Sequence, residues 1–120
     1  LDPKNLDNEL VKALYKDIRV IKRTRYENTI NNLEKIFNKD DIFYSLYENL
    51  FETVTLDRLK NFLCLPNLIF NSNKIIYSNP KAKKIELSDD LKKDIFTFYK
   101  DTYLLCDTRF NARSSWNYFL

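Results

Sequence analysis

Not one of the 120 residues is glycine, and not one is histidine. Glycine averages about 7% of typical chains. Its absence removes every phosphate loop that depends on it, so neither a P-loop nor a dinucleotide-binding fingerprint exists here. Without histidine, the commonest general base and the commonest metal ligand are both missing. Asn, Lys, Ile and Tyr abound, as in AT-rich coding sequences. That bias accounts for scarcity better than for complete absence. Methionine is absent too, and the chain opens Leu1-Asp2-Pro3, which reads as an internal boundary.

What remains is enough to pack an interior. The hydrophobic fraction is 44% and the aromatic fraction 15%. The charged fraction of 31% is balanced, unlike that of a disordered tail. The length fits one domain or part of one. A net charge of +3 is mild, so nucleic acid is not the default partner. Cys64 and Cys106 lie far apart in apolar helical contexts and read as two buried free thiols. No apolar run approaches the roughly 18 residues of a membrane span. No signal-peptide pattern opens the chain, and the expectation is a soluble, cytoplasmic protein.

Leu6, Leu10, Leu14, Ile18 and Ile21 recur at helical spacing and mark one face of an amphipathic helix. Lys12, Lys16, Arg19 and Arg23 line another face. Tyr26, Ile30, Leu33 and Phe37 continue the period, either as a second helix or as a bend of the first. Residues 38–41 make a turn. The period then changes, because Ile42–Tyr47 is short, aromatic and branched, as a buried strand should be. A lone strand cannot satisfy its own backbone, so its neighbour is either outside this chain or the weaker candidate Lys74–Tyr77. Thr55 is a candidate cap for a helix facing Leu56, Leu59, Phe62 and Leu63 inward, stopped by Pro66. Ser88 followed by Asp89 and Asp90 predicts a helix start. Leu91, Ile95, Phe98, Thr102 and Leu105 carry that helix to about Arg109. Trp116, Tyr118 and Phe119 make the tail apolar enough to dock.

Each charged constellation has a plain explanation. The stripe Lys12, Lys16, Arg19 and Arg23, with Arg25, is diluted by Asp17 and Glu27 and reads as a solvated face. Asp40-Asp41 and Asp89-Asp90 fit a turn and a helix start better than a metal site. Tyr44, Tyr47, Tyr99 and Tyr103 sit at spacings that fit core and core-edge positions. No spacing supports a nucleophile–base pair, so no catalytic residue is assigned.

The order of motifs carries one resemblance, spread over roughly residues 23–110. The Tyr26-led helix precedes the Ile42–Tyr47 strand, then Tyr47-Glu48-Asn49-Leu50-Phe51, then a helix closing Asn61-Phe62-Leu63-Cys64-Leu65-Pro66. Ser78-Asn79-Pro80, a basic loop, Leu87-Ser88-Asp89-Asp90-Leu91 and Phe98-Tyr99-Lys100-Asp101-Thr102-Tyr103 follow. This resembles the C-terminal half of a bacterial-type sulfotransferase, with its "Y-E-D-L" strand end, "F-L-G-L/I" helix end, "N-x-S-P" loop and "L-S-x-E-L" final helix. The chain departs from that pattern at Asn49 for Asp, at Cys64 for Gly and in the order of Ser78-Asn79-Pro80.

The resemblance implies an α/β fold of the P-loop-like sulfotransferase kind, with a central parallel sheet. Residues 1–120 would be a partial domain, mostly helical with one or two short strands, whose cofactor-binding N-terminal half is missing. The implied reaction moves a sulfuryl group from 3′-phosphoadenosine-5′-phosphosulfate to a hydroxyl or amine, on a carbohydrate or another acceptor, without a metal. The general base would lie outside this chain. In related enzymes the segment before the last helix closes over the nucleotide. That makes Ser78, Asn79, Lys81, Lys83 and Lys84 the implied nucleotide contacts; on the residues alone they form an exposed basic loop. Tyr47 and Glu48 match family positions taken as structural. The competing expectation is a non-catalytic helical module that binds another protein. A weaker third is a nucleic-acid accessory using the basic stripe.

Overall fold

The computed structural model describes residues 3–71 and 85–116. Six α-helices run in chain order: α1 (Pro3–Leu14), α2 (Ile18–Thr24), α3 (Tyr26–Ile36), α4 (Thr53–Phe62), α5 (Asp89–Phe98) and α6 (Lys100–Phe110). Short 3₁₀ turns lie at Lys39–Asp41, Tyr47–Asn49 and Ala112–Ser114. The chain divides into two units. The first joins Leu1–Ile36 to Lys83–Leu120, and the second is Phe37–Ala82.

In the first unit Asp17 divides what the apolar spacing suggests is one helix. Its carboxylate accepts the backbone N–H of Arg19 at 2.8 Å and so caps α2, in a β conformation that cannot continue α1. The expected inward face of α1 is corrected as well. Leu6, Leu10 and Leu14 are exposed, while Asn8, Val11 and Tyr15 are half-buried. The cause is a set of tertiary contacts on that second face. The Asn8 amide donates to the Glu86 carbonyl at 3.1 Å and accepts from the Ser88 N–H at 2.8 Å. Tyr15 meets the Phe98 ring edge-on at 5.6 Å.

Helices α3 and α5 both pack on α6, and Ile30, Leu91, Tyr99, Thr102, Cys106 and Ala112 are buried there. Ser88 caps α5 as expected, accepting from Leu91 N–H at 3.3 Å, with Asp89 and Asp90 in the first turn. The expected single helix to Arg109 is hitched at Tyr99, whose φ of −101° and ψ of 20° separate α5 from α6. Asn111 ends α6 in the left-handed conformation, which Asn tolerates better than most residues. Trp116 of the tail docks edge-on against Tyr103 at 5.8 Å.

The second unit corrects the expected fold class. Among the described residues there is no strand and hence no central parallel sheet, so the α/β expectation fails for them. Ile42 and Leu46 are extended, but the segment finds no second strand, and Tyr47 already opens a 3₁₀ turn. An extended segment becomes a strand only by exchanging backbone hydrogen bonds with a neighbour. Here the Tyr44 carbonyl accepts from the Arg58 guanidinium at 3.3 Å. The other strand candidate, Lys74–Tyr77, lies outside the described residues.

Helix α4 starts two residues before the expected cap. Glu52 precedes it without a side-chain cap, and Thr55 is buried within its first turns. At the other end a Schellman motif closes the helix: Leu65 N–H donates to Lys60 C=O at 2.9 Å and Cys64 N–H to Asn61 C=O at 3.1 Å. The left-handed residue this motif requires is Cys64, at φ 55°. Glycine is the usual occupant, and a Cβ there costs about 1 kcal/mol. The expectation of two buried thiols therefore holds for Cys106 but not for Cys64, which the turn exposes.

Candidate functional site

The most elaborate polar arrangement lies in the first unit around the hitch between α5 and α6. Tyr99, buried by the helix packing, donates its phenol proton to the Tyr15 carbonyl at 2.7 Å. The Thr24 hydroxyl has one proton, placed between the Val20 carbonyl at 2.8 Å and the Tyr99 oxygen at 2.9 Å. One phenol thus ties the end of α1, the end of α2 and the start of α6. Beside it the Thr102 hydroxyl donates to the Glu27 carboxylate, which also lies 3.8 Å from the Arg25 guanidinium. Arg25 reaches the Phe98 carbonyl at 3.4 Å and stacks over the Phe98 and Tyr99 rings at 4.9 and 5.8 Å. Its Nε is buried without an acceptor, and the cation–π contacts of the guanidinium with those two rings offset part of that cost.

The cluster is built to hold helices together. Burial, and then the nearby Glu27 charge, push the Cys106 thiol above its ordinary pKa, so it stays a thiol rather than a nucleophilic thiolate. Among the described residues no group of three His, Cys, Asp or Glu side chains is gathered for a metal ion. No helix there is long and apolar enough to cross a membrane.

The basic stripe does not act as one surface. Arg19 forms a two-pronged pair with its neighbour Asp17 at 3.0 and 2.9 Å. Lys16 lies over the Tyr15 and Phe98 rings at 5.3 and 5.6 Å, and Arg25 is turned into the cluster just described.

In the second unit the side chains point to a different use. Phe43 and Phe62 meet at 5.5 Å, and Arg58 lies over Phe43 at 5.2 Å. Around this small nucleus large apolar groups stand exposed. Tyr47 is 80% and Val54 71% accessible, and Phe51 and Ile69 are exposed as well. That corrects the expectation of a core-edge Tyr47. Glu48, Glu52 and Asp57 are exposed along the same stretch, and of these Asp57 pairs with Lys60 at 3.8 Å.

The implied nucleotide contacts Ser78, Asn79, Lys81, Lys83 and Lys84 all lie outside the described residues. The Tyr99 cluster was not anticipated, although one signal for it exists in the sequence. Thr102 falls within the inward period Leu91, Ile95, Phe98, Thr102 and Leu105, and a hydroxyl on a buried face demands a partner. Comparison with known proteins finds no matching family model, no matching curated protein and no matching solved structure.

Proposed function

We propose that this chain is a non-catalytic helical module that binds another protein through the second unit. The observation that supports this reading is the run Tyr47, Phe51 and Val54, exposed in a unit whose only buried side chain among the described residues is Thr55. Exposed apolar groups of this size, rimmed by polar residues, mark interaction surfaces. The rim here carries Glu48 and Glu52, both exposed. The partner that fits is therefore an apolar segment flanked by Lys or Arg, steered by the carboxylates and anchored on the aromatic side chains.

The test is titration of the isotope-labelled full chain with two synthetic helical peptides. Both carry the same leucine face, one flanked by lysine and the other by glutamate. The lysine peptide is expected to shift the signals of Tyr47, Phe51 and Val54 saturably, more weakly as salt rises, and the glutamate peptide to leave them in place. Equal response to both peptides, or none to either, overturns the reading.

The phosphosulfate-transfer reading keeps the order of sequence motifs as its support. It called for a parallel sheet, and the lysine loop it needs lies outside the described residues. Turnover of 3′-phosphoadenosine-5′-phosphosulfate by the chain alone would overturn both readings, because the resemblance puts the donor site and the general base outside this chain.

A further inference from the structure

Residues 42–46 form an extended run that uses one of its two edges and leaves the other open. Ile42 and Leu46 are extended, and the chain makes no turn or bend between them. In such a run the N–H and C=O of one residue point the same way, and the direction alternates from residue to residue. The even residues are engaged. Ile42 N–H donates to the Lys39 carbonyl at 3.2 Å, and the Leu46 carbonyl accepts from Asn49 N–H at 3.1 Å. Between them the Tyr44 carbonyl accepts from Arg58 at 3.3 Å. The odd residues are not engaged. Among the described residues the backbone N–H and C=O of Phe43 and Ser45 have no hydrogen-bond partner; Ser45 bonds only through its hydroxyl, to the Leu46 carbonyl.

The open edge therefore offers two donors and two acceptors in strand order. An extended backbone laid alongside matches that order, whereas a helix has already spent its own N–H groups. The run is held straight before any such segment arrives, because Phe43 packs on Phe62 at 5.5 Å and under Arg58 at 5.2 Å. Little order is then lost on pairing. The charges decide whose backbone it is. Asp40 and Asp41 stand before the edge and Glu48 and Glu52 after it, all exposed, against the single cation Lys39. None of the four carboxylates is ion-paired among the described residues. A second copy paired antiparallel about Tyr44 would bring Asp40 of each copy to Glu48 of the other, a like-charge match made twice. A segment with Lys or Arg at both ends meets opposite charge at both ends instead.

We propose that the Phe43–Ser45 edge takes up an extended, lysine- or arginine-flanked segment of another protein by strand addition. The edge works through backbone groups, and the surface of Tyr47, Phe51 and Val54 through side chains. Either can therefore fail alone: the helical lysine peptide leaves Phe43 and Ser45 amide exchange unchanged, and the extended peptide slows it.

The experiment is amide hydrogen exchange of the labelled full chain with a synthetic peptide of alternating Thr and Val, two lysines at each end. At saturation the Phe43 and Ser45 amides are expected to slow roughly tenfold or more while Tyr44 keeps its rate. The same peptide with glutamate ends is expected not to bind. N-methylation of every second core amide leaves the peptide one usable edge and is expected to preserve binding; N-methylation of all of them is expected to abolish it. Ser45→Ala is expected to bind as the unmodified chain does, and Ser45→Pro, which removes one donor of the edge, at least about tenfold more weakly. Unchanged exchange at Phe43 and Ser45 under excess lysine peptide overturns the proposal. So does equal binding of the glutamate-ended or fully N-methylated peptide, or of Ser45→Pro. Protection that grows with chain concentration in the absence of peptide assigns the edge to a second copy and overturns it as well.

Discussion

Tyr99 in the first unit and Tyr47 in the second carry the same side chain, yet Tyr99 is 7% exposed and Tyr47 80%. The difference lies in what surrounds them. Tyr99 sits where α1, α2 and the α5–α6 hitch converge, so its ring is covered and its hydroxyl finds two partners. Tyr47 opens a 3₁₀ turn in a unit whose described residues hold one α-helix, and a single helix has little to fold its neighbours against. The comparison teaches that aromatic content alone does not make a core. Several elements must converge on one place, and this sequence supplies that convergence once among its described residues.

The largest expected effect tests that contrast directly. Tyr99→Ala removes a buried ring and leaves the Tyr15 carbonyl without its donor, an expected loss of about 3–5 kcal/mol. Phe62→Ala removes a partly exposed ring from the second unit, with an expected loss of about 1 kcal/mol or less. Urea unfolding followed by Trp116 fluorescence for the first, and by amide exchange along α4 for the second, measures both. Equal costs would dissolve the contrast between the units.

A smaller effect of opposite sign is expected at Cys64. Replacing it with Gly relieves the left-handed strain, partly offset by the greater freedom of the unfolded chain, for a gain of about 0.5–1 kcal/mol. Exchange protection of the last turn of α4 reads it out. A loss on Cys64→Gly would mean that the cysteine side chain makes a contact worth more than the strain.

The smallest effect is a pH dependence confined to the start of α2. Hydrogen bonds from the Arg19 side chain and then from its backbone N–H lower the Asp17 pKa from 3.8 to about 2. Because the folded value lies below the unfolded one, the cap contributes fully above about pH 4. Its contribution fades as pH falls from 3.8 through about 2. Carboxyl chemical shifts against pH give the midpoint directly, and Asp17→Asn is expected to flatten the dependence while keeping much of the cap.

Much of the first unit was legible because its signals are local. Ser88 with Asp89 and Asp90 announces α5 through cap and dipole alone, and Tyr26, Ile30 and Leu33 announce α3 through period alone. Asp17 before Ile18 is a capping signal of the same kind, hidden by an apolar spacing that runs through it. The misread elements depend on residues far away in sequence. Which side of α1 turns inward is decided by Asn8 meeting Ser88, eighty positions on. Whether Ile42–Tyr47 becomes a strand is decided by whether another strand lies beside it, which its own composition cannot express. Of the candidate site, Thr102 was readable as a buried hydroxyl in need of a partner. That Glu27 would be that partner depends on α3 packing against α6.

The first unit is written in two halves, with residues 37–82 between them. As the chain leaves the ribosome, α1, α2 and α3 emerge with no Leu91, Tyr99 or Cys106 to cover their inner faces. They wait while the whole second unit is made. That delay carries only a modest thermodynamic penalty, since loop closure grows with the logarithm of length. A tenfold shorter connection would save on the order of 2 kcal/mol. The intervening segment is therefore free to diverge in sequence and length while the helices on either side keep their meeting place.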